Sequence, residues 1–369
     1  MATLIAGHEL SKEWATVAPC LLDEPYGAAA REFCQACADL GTGRGAAVLR
    51  AWTVLRVFVE VERILSDPSE PTVPFARFLR HLTRVLTTMR EAGFPSVRGV
   101  GEVPTAGVDG VEQATGEHYG PLFRDFTRTS YWDEPTALLR VRLERNEISE
   151  NRFASKRVLD AGCGGGRYTV AWRTLGAAEA VGVDISEINI QDASRRVAEA
   201  GLTGVEFRQG NALSLPFPDS EFDVVFSNGV LHHTVDWKKG VRELLRVLKP
   251  GGLGWLYLIE NPGGLFWDSI EILRVVMLAE PSDFARQTLR LLGVPANRVF
   301  YMLDHVMVPI NLRLTPQEID EELQRNGATA IRRLTRGTDF DRVEQIHRRV
   351  PFAEAKYGVG ENRFVFSKC

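Results

Sequence analysis

The stretch that decides the fold is Val158-Leu-Asp-Ala-Gly-Cys-Gly-Gly-Gly-Arg167, an apolar run that ends on an acid and continues into four glycines within five positions. We interpret it as a strand that runs into a glycine-rich turn and opens a helix. Because glycine has no Cβ, such a turn lets the backbone approach a ligand closely, and a helix N-terminus behind it favours anionic groups. The stretch therefore predicts a nucleotide-type cofactor site.

On the C-terminal side of this turn, strand-like segments alternate with segments of helical periodicity. We predict strands at residues 157–161, 180–184, 205–210, 222–227 and 254–260, and two late strands near 328–334 and 363–366. This alternation is typical of an α/β fold, and it predicts a seven-stranded, mostly parallel sheet with helices on both faces. Before the late strands, Thr315-Pro-Gln-Glu318 predicts the capped start of a helix.

The segments outside the predicted sheet are helical in pattern. We expect a helical N-terminal region over residues 1–115 and a sheet-containing domain over residues 116–369. Within that domain, residues 261–314 form a helical insertion that is too long for a simple crossover. We interpret this insertion as a lid.

Two helices of the N-terminal region carry apolar residues at spacings of three and four. One predicted buried face consists of Phe75, Phe78, Leu79, Leu82, Val85, Leu86 and Met89. The opposite face of that helix carries Arg77, Arg80, His81 and Arg84. The preceding helix repeats the spacing at Val48, Trp52, Leu55 and Val59. We interpret the pattern as helices that pack on one another, with a solvated basic face.

Composition narrows the class of protein. Of the 369 residues, 44% are hydrophobic and 25% are charged, and the formal net charge is −4, as in a soluble globular protein. Without a long basic run, we expect no nucleic-acid partner. No apolar stretch reaches the roughly 20 residues that span a bilayer, and the first residues lack a signal-peptide pattern, so we expect no membrane span and a cytoplasmic location. The five cysteines predict neither a disulfide framework nor a metal site.

Two carboxylates lie where strands of such a sheet end. Asp160 ends the first predicted strand, and Asp184 ends the second. In an open parallel sheet, ligands bind beyond the carboxyl ends of the strands, and a carboxylate at Asp184 can accept hydrogen bonds from both hydroxyls of a ribose. These residues predict a nucleoside-containing cofactor. Dinucleotide-binding dehydrogenases show a similar spacing, so the residues alone leave the class of cofactor open.

Motifs farther along the chain narrow that class. Residues 205–233 read VEFRQGNALSLPFPDSEFDVVFSNGVLHH, and residues 247–252 read VLKPGG. With the glycine turn, these motifs resemble the class I S-adenosylmethionine-dependent methyltransferases, in particular the group that includes ubiquinone- and menaquinone-biosynthesis methyltransferases. The resemblance covers about residues 155–260. It implies a Rossmann-like core, S-adenosyl-L-methionine as cofactor and S-adenosyl-L-homocysteine as product.

The resemblance also implies which residues contact the cofactor, namely Asp160, Gly162, Gly164, Asp184, Ile185, Asn211, Ala212 and Asn228. The first three would hold the methionine end, and Asp184 would hold the ribose. Asn228 would lie near the methionine moiety and the substrate. Asn211 stands at the adenine, where the family usually has an acidic residue, and its amide can still pair with an adenine edge.

Two adjacent histidines are the candidate proton acceptors. Methyl transfer needs an aligned acceptor, exclusion of water and, where the acceptor has a proton to lose, a base. His232 and His233 follow the fourth strand, and histidine titrates near physiological pH; packing or a cofactor contact is the alternative role. Family members place aromatic residues over the cofactor, and here the candidates are Tyr119 and the Tyr131-Trp132 pair, with core packing as the alternative. Tyr119 is also the third candidate catalytic residue, beside the two histidines.

The sequence therefore predicts an enzyme that transfers a methyl group from S-adenosyl-L-methionine to a small-molecule acceptor, with an oxygen, nitrogen, sulfur or carbon nucleophile, in an enclosed pocket. One alternative is a methyltransferase acting on RNA or protein, docked through the basic helix face. Another is a non-catalytic S-adenosylmethionine-binding regulator, and an oxidoreductase is more remote. A homodimer is left open. The polar loop at residues 336–342 either binds an anionic substrate group or connects two elements.

Overall fold

The computed structural model of the chain describes residues 26–94, 129–277 and 280–369. Its helices, in chain order, are α1 (Gly27–Ala38), α2 (Arg44–Ser66), α3 (Thr72–Glu91), α4 (Glu134–Arg145), α5 (Arg167–Thr174), α6 (Glu187–Glu199), α7 (Trp237–Val247), α8 (Gly264–Met277), α9 (Ser282–Leu291), α10 (Ala296–Val306), α11 (Pro316–Arg325), α12 (Arg342–His347) and α13 (Ala353–Tyr357). A π-helical turn at Thr129–Asp133 precedes α4.

The described residues form two compact units. The first contains the N-terminal helices together with Gly263–Pro309 and Val350–Gly358, and the second contains the sheet. The insertion predicted as a lid at residues 261–314 therefore groups with α1–α3, not with the sheet, up to Pro309. The predicted boundary between residues 115 and 116 lies outside the described residues, so that division stays a prediction.

The second unit is built on a seven-stranded sheet. Its strands are β1 (Arg157–Ala161), β2 (Glu179–Asp184), β3 (Val205–Gln209), β4 (Phe222–Asn228), β5 (Leu248–Leu258), β6 (Ala328–Arg333) and β7 (Asn362–Lys368). They lie in the order β3-β2-β1-β4-β5-β7-β6. Strands β1 to β5 are parallel, and β7 runs antiparallel to both β5 and β6. The predicted α/β, mostly parallel sheet is confirmed, and its strand order reverses at β1, where such folds bind ligands.

Side chains of the central strands alternate between two apolar cores, one on each face of the sheet. On β1, Leu159 and Ala161 belong to the core that contains Val241 of α7, whereas Val158 belongs to the core that contains Trp172 of α5. All of these side chains are at most 2% exposed. Because side chains alternate with a period of two, a strand buried on both faces needs consecutive apolar residues, as Val158 and Leu159 are in β1.

The predicted capping box is confirmed at the start of α11. The Thr315 hydroxyl accepts a hydrogen bond from the Glu318 amide at 3.2 Å, and the Glu318 carboxylate accepts one from the Thr315 amide at 2.7 Å. Two amide donors that the helix itself cannot satisfy are thereby paired. The fifth strand differs from its predicted limits of 254–260, because it runs from Leu248 to Leu258 and already pairs with β4 at Leu248.

In the first unit, one predicted helix face is confirmed and the other is wrong. Phe75, Leu79 and Leu82 of α3 are at most 1% exposed. On α2, however, Val48 and Val59 are 39% and 46% exposed. The buried face of α2 consists instead of Ala47, Ala51, Val54, Phe58 and Val61, among others. This helix is apolar on several sides, so its sequence was compatible with more than one buried face. The face that is buried contains alanines, whose small side chains let neighbouring helices approach.

Two further observations concern the described residues as a whole. Within them, no helix combines the length and the apolar character that a membrane crossing requires. Over the same ranges, no group of three or more histidine, cysteine or acidic side chains is arranged to hold a metal ion. Cys34 and Cys37 are free and buried, and burial raises the pKa of the Cys34 thiol to about 12.

Candidate functional site

The glycine turn follows β1 and folds back against the end of β2. The amides of Gly162 and Cys163 both donate to the Val183 carbonyl, at 2.7 and 2.9 Å. Gly162, Gly164 and Gly166 have φ values of 81°, 52° and 79°, in the left-handed region that favours glycine. Gly166 is the N-cap residue of α5. The turn therefore leads directly into a helix start, as the sequence predicts.

Gly162 is required by a contact that the sequence did not reveal. A Cβ built on Gly162 would lie 2.3, 2.5 and 2.9 Å from the three side-chain carbons of Val230. Val230 directly precedes the short 3₁₀ turn Leu231–His233. The glycine turn after β1 and the histidine turn after β4 are thus packed against each other, and only a residue without a side chain fits between them.

Asp184 ends β2 and faces the glycine turn. One carboxylate oxygen accepts from the Gly164 amide at 2.8 Å, and the other accepts from the Ser186 amide at 2.9 Å. Desolvation raises the pKa of Asp184 above its ordinary value, although these two backbone donors act in the opposite direction. Each carboxylate oxygen has a further lone pair, so the group can still accept hydrogen bonds from a ligand.

Asp160 lies one strand away and is 3% exposed. The Thr169 hydroxyl donates to its carboxylate at 2.7 Å. Burial, with a smaller contribution from the charge of Asp184, raises the pKa of Asp160 to about 7. Near neutral pH, Asp160 is therefore divided between its acid and its carboxylate form.

The raised pKa of Asp160 predicts a pH-dependent stability. Between the unfolded pKa of about 4 and the folded pKa of about 7, the native state binds more protons than the unfolded state, so the free energy of unfolding falls as pH rises. Asp160→Asn removes this titration. We expect the variant to gain stability relative to the wild type from pH 4.5 to pH 8, by on the order of 3–4 kcal/mol. Urea unfolding at these pH values tests this. If the free energies of unfolding of Asp160→Asn and the wild type changed with pH in parallel, the expectation would be wrong. Asp219→Asn, at a site 77% exposed, is the control.

The predicted adenine and ribose residues lie at the ends of β2 and β3. The Gly210 amide donates to the Asp184 carbonyl at 2.9 Å, and the Gln209 side chain donates to the Ile185 carbonyl at 3.2 Å. Asn211 accepts from the Leu213 amide at 2.8 Å, and Ala212 is buried. The structure thus brings Asp184, Ile185 and Asn211 to the same edge of the sheet.

Asn228 and the two histidines follow β4. The Trp255 indole donates to the Asn228 side chain at 3.3 Å. His232 and His233 are 2% and 8% exposed, and their rings lie 4.1 Å apart, edge to face. The site residues predicted on the four strands β1 to β4 therefore all stand at the carboxyl edge of the sheet.

The hydrogen bonds of the two histidines assign them different tautomers. The Nδ1 atom of His233 contacts the Ile310 carbonyl at 2.7 Å. A carbonyl can only accept, so this Nδ1 carries the proton, and the lone pair of the neutral ring is on Nε2. The Nδ1 atom of His232 accepts from the Ile259 amide at 3.3 Å, so its neutral ring carries the proton on Nε2. A second proton on His232 would face the Ile259 N–H, which disfavours its use as a base.

Among the predicted aromatic residues, Tyr131 is described and Tyr119 is not. Tyr119 lies outside the described residues. Tyr131 is fully buried, its ring lies 4.5 Å from the Arg196 guanidinium, and burial raises the pKa of its hydroxyl. Its hydroxyl oxygen has no hydrogen-bond partner among the described residues. A buried hydroxyl without a partner is costly, so this atom is a candidate ligand contact.

Two residues near the histidines were missed by sequence reasoning. The Tyr257 carbonyl accepts from the Gly229 amide at 3.2 Å, and the Tyr257 ring lies 6.0 Å from the His232 ring. Asn311 is 6% exposed and lies between Ile310 and Leu312, which both bond to the histidine turn. Tyr257 could have been predicted from the sequence, because it lies near the end of the fifth predicted strand, where site residues are expected. Asn311 could not have been predicted, because the histidine turn beside it is distant in the sequence.

The polar loop at residues 336–342 is a connector between β6 and α12. Asp341 accepts from Arg142 at 2.9 Å and from Arg363 at 3.0 Å, and Arg336 pairs with Glu344 at 3.0 Å. Burial opposes ionisation of Asp341, but the two guanidinium groups hold its pKa well below the usual range. The arginines of this loop already have carboxylate partners, which favours the connecting role over anion binding.

Comparisons with known proteins agree with this geometry. Residues 159–256 match a family model described as a methyltransferase domain. The chain is 32% identical over 194 residues to a 27-O-demethylrifamycin SV methyltransferase of Amycolatopsis mediterranei, covering 49% of this chain and 66% of that protein. It is 41% identical over 101 residues to a demethylmenaquinone methyltransferase of Listeria monocytogenes, covering 26% of this chain and 41% of that protein.

The likeness to solved structures is more distant. The YcgJ protein from Bacillus subtilis is 22% identical, with 64% of this chain and 98% of that chain covered and a TM-score of 0.40, a fit too loose to bear on the assignment. The chain spans less than two thirds of the length of the two curated relatives. The matched region coincides with β1 to β5 and contains the glycine turn and the histidine turn. Residues 159–256 therefore match a methyltransferase domain, and the two curated relatives that share this region are named as methyltransferases.

Proposed function

We propose that this chain transfers a methyl group from S-adenosyl-L-methionine to a small-molecule acceptor. The observation that carries the proposal is the meeting of the glycine turn, Asp184 and His233 at one edge of the sheet. The two curated relatives are named for methylation of a rifamycin precursor and of demethylmenaquinone, which supports an acceptor of small-molecule size. No comparable observation supports an acceptor of RNA or protein, or a non-catalytic regulator.

Residues of the glycine turn fit the cofactor. The left-handed glycines at 162 and 164 have no side chains and so let a ligand approach the backbone near the end of β1, and the Asp184 carboxylate retains lone pairs for ribose hydroxyls. The buried Tyr131 hydroxyl lacks a partner among the described residues, and an aromatic ring is a suitable neighbour for a cationic sulfonium. When bound, S-adenosyl-L-methionine supplies a methyl group whose bond to sulfur breaks as the acceptor's lone pair forms the new bond.

His233 is the proposed proton acceptor. Its Nδ1–H donates to the Ile310 carbonyl, which fixes the ring orientation and the tautomer, so Nε2 is the ring nitrogen that would take the proton lost by an acceptor O–H or N–H. His232 is the proposed structural partner, since its Nδ1 lone pair already accepts from Ile259. Asn211, Ala212, Ile185 and Asn228 remain proposed cofactor contacts.

Calorimetry with Asp184→Ala tests the cofactor site. Loss of the carboxylate leaves the ribose hydroxyls unpaired and removes the anchor of the Gly164 amide, so we expect S-adenosyl-L-homocysteine to bind more weakly by about 1–3 kcal/mol. Glu187→Ala removes the same charge from an exposed position three residues farther along and is the matched control. Unchanged affinity in the Asp184 variant would refute the ribose assignment.

The acceptor class has its own test. A steep loss of acceptor binding with added salt would favour a polyanionic macromolecule, whereas salt-insensitive turnover of a small acceptor supports the proposal. A protein that binds the cofactor but yields no S-adenosyl-L-homocysteine with any acceptor would support the regulator. The enclosed pocket, the cytoplasmic location and the homodimer stay predictions.

A further inference from the structure

A segment beside the histidine turn carries a buried amide that the protein itself does not satisfy. Asn311 is 6% exposed, and both its Nδ2 and Oδ1 atoms lack a hydrogen-bond partner among the described residues. Most buried side-chain amides in folded proteins are hydrogen-bonded, because an amide without a partner loses its hydrogen bonds to water and gains none in the protein. The exception at Asn311 requires an explanation from its surroundings.

The backbone on both sides of Asn311 is fixed to the turn that contains the proposed base. The Ile310 carbonyl accepts from His233 Nδ1 at 2.7 Å, and the Leu312 amide donates to the His232 carbonyl at 2.9 Å. Two residues on, the Leu314 amide donates to the Ile259 carbonyl at 2.9 Å. Asn311 is therefore held between two anchors, one to each histidine.

The same hydrogen bonds indicate which way the Asn311 side chain lies. Leu312 and Leu314 bond at alternate positions, as residues of a strand do, and both side chains pack against the apolar core that contains Val241. Side chains in such a segment alternate, so Asn311 lies on the side away from that core. An amide turned away from its own core, still buried and unpartnered, has the properties of a ligand contact.

We propose that Asn311 binds the methyl acceptor, a role that rests on the proposed function. A primary amide donates through Nδ2 and accepts through Oδ1, so it matches a ligand with a lone pair and an O–H side by side. A hydroxyl next to a carbonyl meets this requirement. In this arrangement Nδ2 donates to the carbonyl and Oδ1 accepts from the hydroxyl.

The test compares Asn311→Leu with Asn146→Leu. Asn146 is also buried, at 4% exposed, but its amide is fully used, donating to the Arg142 and Arg336 carbonyls at 2.8 and 2.9 Å and accepting from the Arg336 amide at 3.3 Å. Leucine is apolar and similar in volume to asparagine. At position 311 it removes polar atoms that have no hydrogen-bond partner, whereas at position 146 it removes three hydrogen bonds. We expect the melting temperature to stay equal or rise for Asn311→Leu and to fall for Asn146→Leu. A fall for both would make Asn311 a structural residue and overturn the proposal.

Ligand binding supplies the second readout. With S-adenosyl-L-homocysteine bound, we expect α-hydroxyacetophenone, which carries a neutral hydroxyl next to a carbonyl, to bind Asn311→Leu at least about tenfold more weakly than the wild type. Acetophenone, which lacks the hydroxyl, is expected to bind both alike. Equal affinity for the hydroxyketone would overturn the contact. A wild type that binds S-adenosyl-L-homocysteine but not the hydroxyketone would overturn the ligand class. Failure to bind S-adenosyl-L-homocysteine would instead contradict the proposed function.

Discussion

Replacing His233 with asparagine is expected to lower turnover by about 10²–10⁴-fold while the affinity for S-adenosyl-L-homocysteine changes little. The asparagine amide occupies the place of Nδ1 and can still donate to the Ile310 carbonyl, but it has no atom at the place of Nε2. The variant therefore removes the proposed base and keeps the hydrogen bond that holds the segment. Steady-state kinetics with an acceptor that loses a proton, together with calorimetry, measures both quantities.

His232→Asn is the matched control for that experiment. The asparagine carbonyl can accept from the Ile259 amide as Nδ1 does, so the structural bond survives and only Nε2 is lost. We expect turnover within about tenfold of the wild type. Equal losses in the two variants would mean that the pair acts through packing, and near-normal turnover in His233→Asn would remove it from the mechanism.

Gly162→Ala is expected to destabilise the protein by about 2–5 kcal/mol and to weaken cofactor binding. An alanine at φ 81° costs about 1–2 kcal/mol, and its Cβ would overlap the Val230 side chain, for which overpacking costs a further 1–3 kcal/mol or so. Because the Gly164 amide in the same turn bonds to Asp184, displacement of the turn also disturbs the ribose site. Urea unfolding and calorimetry report the two effects.

A second substitution separates the causes. Val230→Ala removes the two carbons that would lie 2.3 and 2.5 Å from the new Cβ but leaves the backbone strain. We expect the double variant to recover part of the stability lost in Gly162→Ala, a coupling that a double-mutant cycle measures. If the changes in free energy of unfolding caused by Gly162→Ala and Val230→Ala simply added in the double variant, the new Cβ at position 162 would not be clashing with Val230.

Much of the sheet could be predicted from sequence because its signals are local. The apolar run of β1 is buried on both faces, the glycines after it require left-handed backbone, and Thr315 with Glu318 forms a reciprocal cap within four residues. Each of these features depends on neighbours in the chain. Their positions therefore agree with the structure to within a few residues.

Features that depend on distant partners could not be predicted. The choice of buried face on α2 depends on which helices pack there, and the grouping of the insertion with α1–α3 depends on contacts across the chain. The different tautomers of His232 and His233 are set by Ile259 and Ile310, one of which lies 77 residues away. The sequence identified the pair of histidines but contained nothing to distinguish them.

The packing of Gly162 against Val230 has a mechanical consequence. Val230 is contiguous with the turn that carries both histidines, so the proposed cofactor loop and the loop that carries the proposed base are packed against each other. Neither loop can relax toward the other without a clash, since packed interiors resist compression. We therefore expect the distance between the proposed cofactor site and the proposed base to depend on the contact between Gly162 and Val230.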